Sequence, residues 1–218
     1  MDFRARLVSW EQIDTWCGNI REKVSNSYRP DMIIALARGG LVPARVLADM
    51  LWIKDLISVK TEHWGITATA SGKAVLKDPG NLNIEVKKVL IVDDITDTGQ
   101  SMKLAYDFIK EQKPAEIRTV TMLHITRSSF IPDFFSEIID EKNWAWFIFP
   151  WNVYEDLDNL LSRILKGRMT FTQIENELKD QFNLNIDSSF LSHILDEFRK
   201  AGRIVQEDHT FSKPPESQ

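Results

Sequence analysis

The chain has 218 residues, 43% hydrophobic and 27% charged, a balance typical of globular proteins that excludes a disordered or fibrous one. With 27 basic and 32 acidic side chains the net charge is -5, so no global cationic field attracts nucleic acid or an anionic membrane, and phosphate binding must be local. MDFRARLVSW at the N-terminus lacks an apolar signal core, no run approaches the roughly 20 apolar residues of a membrane helix, and the single cysteine, Cys17, can close no intramolecular disulfide. A cytoplasmic setting without membrane partners is therefore expected.

From Ser9 to Ser25 apolar residues recur at three and four (Trp10, Ile13, Trp16, Cys17, Ile20, Val24), predicting an amphipathic helix capped by Ser9. Met32 to Ala37, MIIALA, reads as a buried strand that ends at Arg38-Gly39-Gly40, and Leu41 to Leu51 as a helix. Leu56 to Lys60 is a further strand. Thr61 to Val86 is polar and carries Gly65, Gly72 and Pro79-Gly80, a length that predicts a functional loop or lid. His63 in it reads as incidental. Lys88 to Val92 is an apolar strand running into carboxylates, followed by a helix from Gly99 to Glu111 and a strand at Ile117 to Leu123. Alternating strands and helices predict an α/β domain, a largely parallel sheet with helices on both faces and ligands at the carboxyl ends of its strands.

Beyond Pro150 the pattern becomes helical: Leu157 to Leu165, Phe171 to Phe182 and Ser188 to Ala201, then a hairpin within Arg203 to Phe211. Three helices and a hairpin resemble a winged helix. The organisation expected is a first domain over 1-157, with a hood near 124-152, a helical winged-helix-like extension over 158-212, and a disordered tail over 213-218.

The most informative string is VLIVDDITDTGQS, Val89 to Ser101. Its strand delivers Asp93 and Asp94 to the sheet edge, where adjacent carboxylates can grip vicinal hydroxyls and a hard cation such as Mg2+. Thr96 to Ser101 then turns into a helix N-terminus that offers amides, hydroxyls and the positive end of a dipole to a phosphate, with Gly99 allowing close approach. The competing reading is an Asp-rich turn that merely caps a helix.

This string resembles the phosphoribosyl pyrophosphate motif of type I phosphoribosyltransferases. ALARGGLVPARVLA, Ala35 to Ala48, resembles the pyrophosphate loop of the xanthine-guanine type, and WFIFPWN, Trp146 to Asn152, is similar to that family's base-binding hood. The resemblance covers roughly residues 5 to 157. It implies a purine phosphoribosyltransferase: a Mg2+-dependent enzyme of purine salvage that moves the 5-phosphoribosyl group from phosphoribosyl pyrophosphate to a 6-oxopurine such as hypoxanthine, guanine or xanthine.

In this reading Asp93, Asp94, Thr96, Asp97, Thr98, Gly99, Gln100 and Ser101 bind the ribose and 5'-phosphate, with Asp93 and Asp94 supporting the metal. Arg38, Gly39 and Gly40 bind pyrophosphate. Trp146 stacks on the base beside the Phe147 main chain, and Asp97 and Arg38 are catalytic. Trp144, Phe147, Phe149 and Trp151 also read as an aromatic plug closing a core.

One departure stands out. Relatives acting on 6-oxopurines carry a lysine shortly after the strand that ends near Leu123, and this chain reads MLHITRSS. Ile125 or Thr126 takes its place, so His124 or Arg127 substitutes or the base differs.

A homodimer is implied. The alternatives are a phosphoribosyltransferase for another nitrogen base, or a non-enzymatic regulator that senses phosphoribosyl pyrophosphate and binds DNA through its C-terminal region. DNA is not an expected partner, because Asp158 to Gln218 holds 8 basic against 10 acidic side chains, the reverse of a DNA-reading module.

Overall fold

The computed structural model of the chain describes residues 3-63, 74-77 and 82-215. In chain order the first elements are β1 (Ala5–Leu7), α1 (Trp10–Ser27), β2 (Met32–Ala37), α2 (Leu41–Met50), β3 (Leu56–His63), β4 (Ala74–Lys77), β5 (Lys88–Thr96), α3 (Gln100–Glu111), β6 (Glu116–Ile125) and β7 (Phe134–Ile139). After them come β8 (Trp146–Ile148), α4 (Val153–Ile164), β9 (Met169–Thr170), α5 (Phe171–Phe182), α6 (Ser188–Lys200), β10 (Val205–Glu207) and β11 (Thr210–Ser212). None of the described helices is long and apolar enough to cross a membrane.

Two compact units emerge: Trp10–Trp144, and the segment up to Ser9 together with everything from Ala145 onward. The first unit holds a six-stranded sheet in the order β4-β3-β2-β5-β6-β7, parallel except at the β3-β4 pair. Its central strands are buried on both faces, hence their unbroken apolar sequences. The side chains of Met32, Ile34, Leu36, Val89 and Ile91 meet Met102, Ala105 and Ile109 of α3, while α1 and α2 pack together on the other face. Ile13, Trp16, Cys17, Ile20 and Val24 are the buried stripe of α1, and burial pushes the Cys17 thiol up to about 12, making it an inert core residue.

The 61-86 stretch, expected to be one loop or lid, is interrupted by β4, which pairs antiparallel with β3 through Lys60↔Lys77 and His63↔Ala74. A tetrapeptide of three apolar residues and a lysine, Ala74–Lys77, is long enough to extend a sheet edge but too short to announce itself. Residues 64-73 and 78-81, with Gly65, Gly72 and Pro79-Gly80, and the His63 side chain lie outside the described residues. Residues 216-218 of the tail do too.

In the second unit β1 and β8 pair in parallel, with Arg6 opposite Phe147. The following segment runs helix, strand, helix, helix, strand, strand, and β10-β11-β9 form an antiparallel sheet, the connectivity of a winged helix. Its core contains Leu157, Leu161, Ile174, Leu178, Leu191, Ile194 and Phe198, and Ala5, Ile148 and Val153 belong to the same cluster. Shared burial explains why Ala5, Ile148 and Val153 group with the C-terminal helices, and why α4 begins at Val153, four residues ahead of the expected start.

Candidate active site

The site is built where β2, β5 and β6 end. Alternation along β5 sends Asp94 to the α2 face and Asp93 to the opposite one. Asp94 is 8% exposed and accepts the Ile95 amide at 2.8 Å, while Asp93 accepts the Asp94 amide at 3.0 Å. Burial, then the neighbouring Asp94 carboxylate, pushes the Asp93 carboxyl well above the usual carboxylate range. Two neighbouring acids resist joint ionisation.

Over Asp94 sits the glycine turn between β2 and α2, whose Ala37-Arg38 peptide is cis. A Cβ on Gly39 would lie 2.3 Å from an Asp94 carboxylate oxygen, and one on Gly40 would lie 2.3 Å from the Val92 carbonyl. Only glycine permits this approach. The Arg38-Gly39-Gly40 turn and the Asp94 carboxylate, 54 positions or more apart in sequence, thus share one surface.

Gly99, at φ +79°, turns the chain into α3, and no side chain caps that helix. Its first-turn amides and dipole consequently face the Asp97-Thr98-Gly99 turn, an arrangement suited to a phosphate. The Thr98 hydroxyl lies 3.5 Å from the Gln100 amide, at the limit of a hydrogen bond. Gln100 is exposed, and Ser101 is partly buried in the first turn. Thr96 differs from its neighbours: it is 2% exposed and its hydroxyl is 2.9 Å from His124 Nδ1, an inward contact between adjacent strands.

Sequence reasoning left His124 and Arg127 as substitutes for the missing lysine, and their placements differ. His124 is buried, its ring 5.2 Å from that of Phe135, and desolvation lowers its pKa. Arg127 stands at the sheet edge. Its Nε donates to Asp97 Oδ1 at 2.7 Å, its Nη2 lies 2.5 Å from the same oxygen, and its guanidinium sits 4.8 Å from the centre of the Trp144 ring.

The three residues after Arg127 clasp the phosphate turn. Ser129 donates to the Thr98 carbonyl through both its amide (3.1 Å) and hydroxyl (2.9 Å), and Ser128 and Phe130 fill the space beside Gly99. This clasp escaped the sequence reading. Its only signal was a polar Thr-Arg-Ser-Ser run at the carboxyl end of a strand.

In the second unit Trp146 is partly buried against the apolar cluster, its ring 6.3 Å from that of Phe3. Phe147 is 8% exposed and lies under the Arg6 guanidinium. Phe149 and Trp151 stack at 4.9 Å with rings 7° from parallel. The described residues contain no group of three or more His, Cys, Asp or Glu able to hold a metal by themselves.

A largely parallel sheet whose central strand carries paired carboxylates near its carboxyl end, beside a glycine turn and an uncapped helix, is an α/β arrangement suited to a phosphorylated, hydroxyl-bearing ligand. Residues 9-156 match the phosphoribosyl transferase domain family, and the chain belongs to that family of type I phosphoribosyltransferases and is an enzyme of pentosyl transfer. It is similar to the xanthine-guanine phosphoribosyltransferase of Nitratidesulfovibrio vulgaris, 30% identical over 147 residues that span 66% of this chain and 83% of the relative. The corresponding protein of Idiomarina loihiensis is 26% identical over 151 residues, 69% of this chain and 89% of the relative. Among solved structures, the purine phosphoribosyltransferase of Pyrococcus horikoshii superposes with a TM-score of 0.58 at 30% identity, covering 69% of this chain and 94% of that one. The family match ends at residue 156, so β9 to β11, α5 and α6 lie beyond it.

Proposed function

We propose that this enzyme transfers the 5-phosphoribosyl group from phosphoribosyl pyrophosphate to a 6-oxopurine base, releasing pyrophosphate and serving purine salvage. The observation that carries the reading is the single surface formed by Asp93, Asp94, the Arg38-Gly39-Gly40 turn and the open N-terminus of α3. It matches a donor with vicinal hydroxyls, a monophosphate and a pyrophosphate.

Asp93 and Asp94 accept the ribose hydroxyls. Two carboxylates are too few for a protein-only magnesium cage, yet they suit Mg2+ carried mainly by substrate oxygens and water, and the raised pKa of Asp93 marks a place where positive charge relieves repulsion. Bound there, Mg2+ supplies charge neutralisation for the departing pyrophosphate. Arg38 and the amide at Gly39 hold that group, with Gly40, whose amide donates to the Leu36 carbonyl at 2.8 Å, shaping the turn. Thr98, Gly99, Gln100 and Ser101 hold the 5'-phosphate, with Thr96 positioning the strand end through His124. Asp97 takes or stabilises the proton of the incoming base. Trp146, with the Phe147 main chain, is proposed to stack on the base, a role resting on the resemblance of WFIFPWN.

The protein is taken to act as a cytoplasmic homodimer, residues 1-157 to carry the transferase machinery, and residues 158-212 to serve packing or dimerisation. DNA reading by the winged helix is disfavoured by α6 itself, because Arg199 and Lys200 are bound to Asp196 and Glu197 on the same helix.

Purified protein mixed with phosphoribosyl pyrophosphate, Mg2+ and, in turn, hypoxanthine, guanine, xanthine and adenine should form nucleotide with the oxo bases. Binding of the donor without product from any base would sink the reading.

A further inference from the structure

Resting on the reading of the α3 N-terminus as the seat of the donor 5'-phosphate, we infer that Ser129 is a positioning residue for that phosphate. It holds the Thr98 carbonyl so that the Gly99 amide, on the other side of the same peptide, faces the phosphate oxygens. The turn has a freedom that needs such a restraint. Gly99 sits at φ +79°, and glycine takes positive and negative φ with similar ease, so the Thr98-Gly99 peptide can turn over at little covalent cost. One orientation aims the Gly99 N–H at an anion on the helix end, and the other aims the Thr98 carbonyl oxygen there. An amide attracts a phosphate and a carbonyl repels it. The affinity of the turn depends on which orientation is fixed.

Ser129 fixes it. Its amide donates to the Thr98 carbonyl at 3.1 Å and its hydroxyl donates to the same oxygen at 2.9 Å, which uses both lone pairs of that acceptor. In a trans peptide the N–H points opposite to the C=O, and among the described residues only Ala37-Arg38 is cis. The Gly99 N–H is therefore directed away from Ser129. Gly99 is buried, and among the described residues its amide meets no acceptor. A buried amide left open costs free energy, and a phosphate oxygen is the partner that would recover it.

The clasp is itself anchored on both sides of the turn. Ser128 donates its amide to the Ile125 carbonyl at 2.9 Å, at the end of β6, and its hydroxyl to the Phe130 carbonyl at 2.8 Å. The Phe130 ring lies 5.9 Å from that of Tyr106 on α3. Ser129 is thus carried by β6 and α3 together, and it acts through the peptide without touching substrate.

The test uses two anions that belong to different parts of the site: ribose 5-phosphate, for the α3 end, and pyrophosphate with Mg2+, for the Arg38 turn. Each is titrated calorimetrically into the full chain and into S129A and S129T. S129A should weaken ribose 5-phosphate about 3- to 10-fold, the loss expected for one neutral hydrogen bond, and leave pyrophosphate within about twofold. S129T, which keeps the hydroxyl, should bind ribose 5-phosphate within about twofold of wild type. In turnover with hypoxanthine, S129A should raise KM for phosphoribosyl pyrophosphate by the same factor, with kcat and KM for the base little changed. Equal weakening of both anions would make Ser129 merely structural, and no weakening of either would show that the peptide is held without it; each result overturns the inference alone. A wild type that binds no ribose 5-phosphate would remove the phosphate reading of α3, and this inference with it. A wild type that binds it but forms no nucleotide from any base would remove the base-transfer reading and leave Ser129 in its role.

Discussion

α3 and α6 are helices of 12 and 13 residues with opposite N-termini. Gly99 begins α3 without offering a side chain, whereas Asp187 begins α6 and accepts the amides of Ser189 and Phe190 at 3.0 Å each. The charges diverge in the same way. At α6 the basic residues are consumed by partners three and four positions away, while beside α3 Arg127 pairs with Asp97 from a neighbouring strand end. A helix end that satisfies itself is architecture, and one that leaves its polar capacity open is a binding site. The α6 end therefore reads as scaffold and the strand ends of the first unit as chemistry.

The hardest test of that contrast is Asp97→Asn. If Asp97 handles the base proton, steady-state assays should show kcat lower by about 100-fold or more, with KM for phosphoribosyl pyrophosphate within a few-fold. Asn keeps the shape and loses the proton acceptor. Equal turnover would remove the role of Asp97 and leave the turn as a phosphate clamp only.

Next in size is Gly99→Ala. A Cβ there would sit 2.6 Å from the Ser128 hydroxyl and 2.7 Å from the Phe130 amide, at a φ of +79°. The backbone penalty alone is about 1-2 kcal/mol, and the clash falls on the clasp that carries Arg127. KM for phosphoribosyl pyrophosphate should rise at least about tenfold, and the melting temperature should fall. An unchanged KM would mean that the amides of α3 do not hold the donor phosphate.

Most of the first unit was legible in the sequence because its central strands are covered on both faces: MIIALA and Val89 to Val92 are apolar without interruption, Ile117 to Leu123 is broken only by Arg118 and two threonines, and each is part of a strand. The edges were not. FFSEII, which became β7, alternates too weakly, with Ser136 and Glu137 bonded to Asn19 and Trp16 of α1. The three-residue strands β1 and β8 pair across some 140 positions, beyond the reach of any local pattern. The carboxylates and the glycine turns could be picked out from residue types, and the missing lysine from the family resemblance. Arg127 reaching Asp97 across 30 positions could not, since only the β5-β6 register and the Ser129 clasp bring them together.

The smallest effects concern pH, and the two regions should respond with opposite signs. Asp93 holds its proton in the folded chain at pH values where the unfolded chain has lost it. Its contribution to stability is thus fully present below the usual carboxylate range and lost as pH rises through the elevated folded value. Asn does not titrate, so metal-free, ligand-free Asp93→Asn should melt increasingly above the native chain as pH rises through that window, while transfer activity falls. Parallel melting curves would show that Asp93 carries no trapped proton.

Asp187 is the mirror case. The Ser189 hydroxyl and the amides of Phe190 and Ser189 hold its carboxyl below the ordinary range, so its stabilisation is present above the unfolded value and disappears as pH falls through the depressed folded one. Asp187→Ala should lower the melting temperature slightly at neutral pH, with the difference shrinking in acid, and should leave kcat/KM unchanged. That last measurement bears most directly on the contrast between the helices. A loss of transfer rate in step with the loss of the α6 cap would mean that the winged helix takes part in the chemistry, and the division between scaffold and site would have to be redrawn.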